Sequence, residues 1–124
     1  MLEGQVPGVM EWLETAGERH GVRLALLPQA DWNNDLTPWP AEPVFKKGKA
    51  FGGKAVAYLQ RLESEILPGI EADLGGIPEE RWLLGVSLAG LFAVWAAVRG
   101  GIFNRIAAIS GSFWYPGFPQ WCWP

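Results

Sequence analysis

Hydrophobic positions along this chain fall into runs of two kinds, one at helical spacing and one continuous. Val9, Met10, Trp12, Leu13 and Ala16 share one helical face, and Arg19, His20 and Gly21 follow them. This spacing predicts a helix whose last turn carries basic side chains at the negative end of its dipole, with Gly21 as C-cap. Val22 to Leu27, apolar apart from Arg23, is stopped by Pro28 and predicts a strand. From Gln29 to about Lys49 the chain is polar and interrupted by Pro38, Pro40 and Pro43, so no regular structure is expected there. Phe51, Ala55, Tyr58, Leu59, Leu62 and Ile66 then repeat at helical spacing opposite Lys54, Arg61, Glu63 and Glu65. They predict a second helix interrupted at Pro68, with one further turn over Ile70 to Leu74.

Trp82 to Arg99 carries the most information. Trp82 to Val86 is a short apolar run, and Leu88 to Val98 is apolar on every face, as in a helix buried beneath other layers. Between them stands Ser87, with Gly85 and Ala89 two residues to either side. A strand, a sharp turn and a helix with small residues at those two places form a nucleophile elbow: strand and helix nearly touch, and the serine is held in a strained conformation with its hydroxyl over the sheet edge. The Leu88 N–H, at the helix N-terminus, is the expected oxyanion donor. The pattern points to acyl transfer on a serine. The structural alternative is a buried strand, turn and helix in which Ser87 is only a cap. Gly100 and Gly101 break the chain after the helix, and Ile106 to Ile109 predicts one more strand. Strands alternating with helices imply an α/β fold, a mostly parallel sheet with helices on both faces and function at the C-terminal ends of the strands.

Composition narrows the class. The 124 residues are 49% hydrophobic and 19% charged, which suits one globular domain over 1–124, with the elbow at 82–99 and an aromatic tail at 113–124. A net charge of -3 gives no general attraction to nucleic acid, and Lys46, Lys47 and Lys49 read as a solvated loop. Trp82 to Val98 lacks charge, yet it falls short of the roughly 20 apolar residues of a spanning helix, so no membrane association is expected. The single cysteine, Cys122, has no internal disulfide partner, and no secretory signal opens the chain; a cytoplasmic protein is expected.

Four blocks occur in order: Asp31-Trp32-Asn33-Asn34-Asp35-Leu36-Thr37-Pro38-Trp39-Pro40, Phe51-Gly52-Gly53, Gly85-Val86-Ser87-Leu88-Ala89-Gly90-Leu91-Phe92-Ala93 and Ser110-Gly111-Ser112-Phe113-Trp114-Tyr115-Pro116. Together they resemble the esterases of the α/β-hydrolase superfamily related to esterase D and enterochelin esterase, over nearly the whole chain. The resemblance implies a partial α/β-hydrolase fold, Ser87 as nucleophile, a small-molecule ester as substrate, and no cofactor. It also implies a second oxyanion donor from a loop at the N-terminus, where Gly4 or Gln5 stands, and a substrate pocket lined by Trp32 and Trp39. In that family an acid and a histidine follow the serine on later loops. From Leu88 to Pro124 this sequence contains no Asp, Glu or His, and both of its ends look cut against the family pattern.

His20 is the only histidine. Placed before the strand expected at 22–27, it would lie at the sheet edge opposite Ser87, and a general base must come within about 3 Å of its nucleophile. A cap role is expected instead. Asp31, Asn33, Asp35 and Glu42 match positions 1, 3, 5 and 12 of a calcium loop, but Leu36 replaces the required glycine and prolines stiffen the middle. Side chains that fix turns are the expectation, with no metal. Trp114, Trp121 and Trp123 join Phe113, Tyr115 and Phe118 in a tail that either leaves an apolar edge open to self-association or folds back over its own sheet. The expected function is serine ester hydrolysis, with a non-catalytic α/β binding module as the alternative.

Overall fold

The computed structural model describes residues 9–27 and 31–123, with the side chains of Val9, Met10 and Leu13 left aside. Helix α1, Val9–His20, ends as its sequence predicts. Gly21 adopts φ 68°, and the Val22 N–H reaches back to the Gly17 carbonyl at 2.8 Å, closing the last turn. Trp12, expected on the buried face, is exposed.

The strand expected at Val22–Leu27 does not form. Val22, Leu24 and Leu26 are each more than half exposed, and the segment pairs with no strand among the described residues. Apolar alternation favours extended backbone, but a ladder needs a neighbour to bond.

The proline-rich loop is more ordered than its sequence predicts. Asp31 caps a four-residue helix α2, Trp32–Asp35: its carboxylate accepts from the Asn34 N–H at 3.3 Å and from Asn34 Nδ2 at 2.7 Å, while the Asp31 N–H donates to Asp35 at 3.1 Å. Asp31 and Asp35 of the calcium-loop pattern thus close the start of a helix, while Asn33 Nδ2 donates to the Lys49 carbonyl at 3.4 Å. Strands β1, Pro40–Ala41, and β2, Phe51–Gly52, pair antiparallel. Gly52 and Gly53 allow that closure: a Cβ on Gly52 would stand 2.0 Å from Asn34 Oδ1, and Gly53 sits at φ 67° against the Trp39–Pro40 backbone.

Because β2 occupies residues 51–52, the second long helix begins at Ala55 rather than Phe51. Helix α3, Ala55–Arg61, has no side-chain cap; the Lys54 and Ala55 N–H groups donate instead to the carbonyls of Asn34 and Thr37. The helix does not stop at Pro68. A π-helical turn, Leu62–Ile66, widens the spiral and leads into α4, Leu67–Asp73. Proline has no N–H and its ring would meet the Ser64 carbonyl in a regular α-helix; the wider turn absorbs the conflict. Tyr58, Leu59 and Leu62 are buried from this helical run, as their spacing predicts.

Strand β3, Trp82–Val86, helix α5, Leu88–Arg99, and strand β4, Arg105–Ile109, follow the predicted order. β3 and β4 are parallel, with Val86 opposite Ile109. Helix α5 covers one face of this pair and buries Leu88, Leu91, Phe92, Ala93, Trp95 and Ala96. Each large side chain among them contributes on the order of 1.5–3 kcal/mol by leaving water. The Tyr58 and Phe92 rings, 5.4 Å apart, join α3 to α5 in one core. The Arg81 guanidinium and Glu71 carboxylate form a two-bond pair that ties α4 to the start of β3.

Expectation and structure part over the sheet. The fold is mixed α/β, but it holds two two-stranded sheets among the described residues, one parallel and one antiparallel, rather than one mostly parallel sheet. Among the described residues no helix covers the far face of β3 and β4 either, where Trp82, Leu84, Val86 and Ile109 are exposed. Over that face the Trp82 ring carries the Arg105 guanidinium, 5.3 Å from its centroid.

The tail folds back, though onto the proline-rich loop rather than the sheet. Helix α6, Phe118–Cys122, buries Phe118, and Tyr115 is fully buried. Tyr115 packs edge-on to Phe51 at 5.2 Å and donates its hydroxyl proton to the Trp39 carbonyl. Trp39 Nε1 donates in turn to the Pro116 carbonyl at 2.7 Å. Trp123 remains almost wholly exposed. No helix among the described residues is long and apolar enough to cross a membrane.

Candidate active site

Ser87 joins the C-terminal end of β3 to the first turn of α5 at φ 58° and ψ -120°. Non-glycine residues avoid this region at a cost of about 1–3 kcal/mol, so the surrounding structure must hold it. Three backbone bonds do so: the Ser87 N–H donates to the Ile109 carbonyl at 3.0 Å, and the Ser87 carbonyl accepts from Leu91 at 3.1 Å and from Ser112 at 3.1 Å. Strand and helix approach so closely that a Cβ on Gly85 would lie 2.1 Å from the Ala89 carbonyl oxygen. The spacing Gly85, Ser87, Ala89 is thus the contact the sequence predicts.

The Ser87 side chain makes no capping bond to its own helix and is exposed to solvent. Leu88, its side chain buried, is the first residue of α5, where the N–H has no intrahelical acceptor and lies at the positive end of the helix dipole. An exposed hydroxyl beside such an N–H suits attack on a carbonyl and stabilisation of the resulting oxyanion.

The Ser87 Oγ has one side-chain partner among the described residues, Ser112 Oγ at 3.2 Å. Ser112 is buried, at 2% exposure. Sequence reasoning missed it. Its signal was register: Ser110 follows Ile109 as Ser87 follows Val86, so the turn after β4 runs beside the elbow. Ser110, at φ 47°, is the other non-glycine residue with positive φ among those described.

The other expected site residues are scattered. Gly4 and Gln5 lie outside the described residues. Trp32 opens α2 and is exposed, whereas Trp39 is half-buried against Tyr115 and Trp121 at ring distances of 6.0 and 6.2 Å. His20 ends α1, exposed, and the strand that would have set it at a sheet edge is missing. No group of three or more metal-ligating side chains occurs among the described residues.

Comparison with known proteins adds a family. The chain is 32% identical over 112 residues to the uncharacterized protein YbbA of Bacillus subtilis (strain 168), an alignment covering 86% of this chain and 45% of that protein. The chain therefore spans about half the length of the curated relative it matches. No solved structure matches it. Residues 5–123 match the family described as "Putative esterase", and the chain belongs to that esterase family.

Proposed function

We propose that this chain carries the nucleophile centre of a serine hydrolase acting on small carboxylic esters. Ser87 Oγ attacks the ester carbonyl, the Leu88 N–H donates to the oxyanion, the alcohol leaves with a proton, and water then releases the acid from the acyl-serine. The observation that carries this is the Ser87 backbone, held in a strained conformation between β3 and α5 with its hydroxyl in solvent. Membership of the esterase family supports it. The general base and the acid that orients it must come from outside residues 88–124, which hold no Asp, Glu or His. A second oxyanion donor at Gly4 or Gln5 belongs to the same proposal. We take Trp32 as the pocket-lining aromatic and Trp39 as the residue that fixes the loop beneath it. The free thiol of Cys122 suits a reducing, cytoplasmic setting.

A non-catalytic binding module is the second reading, favoured by one observation: the side-chain partner of Ser87 is a hydroxyl, Ser112, and not a base. Labelling by a fluorophosphonate separates the two. Modification at Ser87, absent in Ser87→Ala, supports the hydrolase; a folded chain that still resists the reagent when a segment of a complete relative supplies an acid and a histidine supports the binding module.

A further inference from the structure

We propose that Ser112 is a positioning residue for Ser87, donating its hydroxyl proton to Ser87 Oγ so that the Ser87 proton is left free to face outward. The direction of the bond follows from burial. Ser112 is at 2% exposure, and Ser87 is the partner of its hydroxyl among the described residues. A buried donor left unmade costs roughly 1–3 kcal/mol, whereas the exposed Ser87 hydroxyl finds water in any orientation. Ser112 therefore gives the proton and Ser87 accepts it.

Ser112 is fixed well enough for the task. Its N–H holds the Ser87 carbonyl at 3.1 Å, so the two residues are joined by backbone as well as side chain. The turn before it is clamped on both sides: a Cβ on Gly111 would meet the Phe113 ring at 2.4 Å, and one on Gly90, in the first turn of α5, would come 3.0 Å from the Gly111 Cα. The Tyr115 N–H closes the following turn on the Ser112 carbonyl at 3.0 Å. At 3.2 Å the hydroxyl pair is long for two neutral groups, and negative charge on the Ser87 oxygen would shorten and strengthen it. Ser112 thus favours the deprotonated nucleophile over the protonated one. Only the catalytic consequence rests on Ser87 being the nucleophile; the bond itself does not.

The test replaces Ser87 by a group whose ionisation is visible. In a Cys122→Ala background, the thiol of Ser87→Cys is titrated by thiolate absorbance with Ser112 intact, with Ser112→Thr and with Ser112→Ala. The thiol should titrate about one unit lower with Ser112 or Ser112→Thr than with Ser112→Ala. Equal titration in all three overturns the proposal. Should Ser112→Ala fail to fold by circular dichroism, the unmutated chain decides: a slowly exchanging Ser112 hydroxyl proton with a nuclear Overhauser contact to the Ser87 β-protons supports the bond, and rapid exchange overturns it. Fluorophosphonate labelling of otherwise unmutated Ser87 is run in parallel and should slow about tenfold in Ser112→Ala and recover in Ser112→Thr. A thiol shift with no labelling, even when a segment of a complete relative supplies an acid and a histidine, leaves Ser112 in place and removes the esterase reading. Labelling at equal rates without a thiol shift does the reverse.

Discussion

Gly85 and Ala89 meet so closely that the glycine has no room for a methyl group: its Cβ would stand 2.1 Å from the Ala89 carbonyl oxygen and 2.8 Å from the Gly90 nitrogen. These are backbone atoms of the elbow, so relief requires β3 and α5 to separate. Gly85→Ala should lower stability by about 3 kcal/mol or more, read from the urea midpoint. Gly69 in α4 is the control, since a Cβ there meets nothing within 4 Å. Gly69→Ala should raise stability by about 0.5–1 kcal/mol through helix propensity alone. Equal effects at the two positions would contradict the elbow packing.

Tyr115 anchors the tail to the proline-rich loop through the bond from its hydroxyl to the Trp39 carbonyl. Tyr115→Phe keeps the ring contact with Phe51 and removes that bond together with the hydroxyl's interaction with the Thr37 side chain. It should cost about 1–3 kcal/mol, because the Trp39 carbonyl loses a partner inside the protein. Exposure of the Trp39 region to an aqueous quencher of tryptophan fluorescence should rise with it.

How much of this was legible in the sequence depended on whether a residue's role was local. The close approach of Gly85 and Ala89 around Ser87 could be read because the turn from β3 to α5 is set by five consecutive residues and the apolar run around them. Gly21 could be read for the same reason. Val22 to Leu27 misled because its apolar character is local while strand formation is not; the segment pairs with no strand among the described residues. Pro68 misled in the opposite direction, since the π-helical turn that admits it depends on packing of Leu62 and Ile66 against the core. Ser112 lay inside a recognised block, yet its contact with Ser87 spans 25 residues and follows only from strand register.

Two pH limits follow from charged and phenolic groups. The Arg81 guanidinium holds the Glu71 carboxyl below its ordinary value of 4.5 by hydrogen bonding, against the opposing effect of burial. A lowered folded value means that this stabilisation is complete above 4.5 and lost as pH falls through the folded value. Glu71→Gln should therefore weaken the chain by about 1–2 kcal/mol at neutral pH and flatten its acid denaturation curve. At the other end, burial raises both Tyr58 and Tyr115 above 10.0, with Asp35 adding to the rise at Tyr58. Their contribution is present below 10.0 and declines as pH rises from there through the folded values. Alkaline unfolding that begins above 10.0 and is reduced in part by Tyr115→Phe would bear this out.

The bare sheet face invites association. Trp82, Leu84, Val86 and Ile109 present apolar surface beside the open edges of a two-stranded sheet. We propose that two copies of the chain meet through this face rather than through the aromatic tail, where Tyr115 and Trp121 pack on Trp39, Trp114 on Phe51 and Phe113 on Phe118. Sedimentation velocity should show a concentration-dependent species that Leu84→Lys suppresses and Trp123→Ser does not. Suppression by Trp123→Ser alone would move the interface to the tail.

Ester hydrolysis gives the sharpest test of what the elbow does by itself. In the proposed site the Leu88 N–H serves as oxyanion donor; Ser87 has Ser112 as its side-chain neighbour and no base within hydrogen-bond reach among the described residues. Without a base to take its proton, a serine hydroxyl is a weak nucleophile at neutral pH. Serine proteases stripped of triad members keep roughly 10³- to 10⁴-fold over water from the oxyanion hole and binding, far below a complete site. The 124-residue chain should therefore hydrolyse aryl esters slowly at best, and Ser87→Ala should change that rate little. Adding a segment from a complete relative that supplies an acid and a histidine should raise turnover by orders of magnitude, and the gain should vanish in Ser87→Ala. Fast turnover by the chain alone that is abolished by Ser87→Ala would mean that a base reaches Ser87 from the undescribed residues or from a second copy.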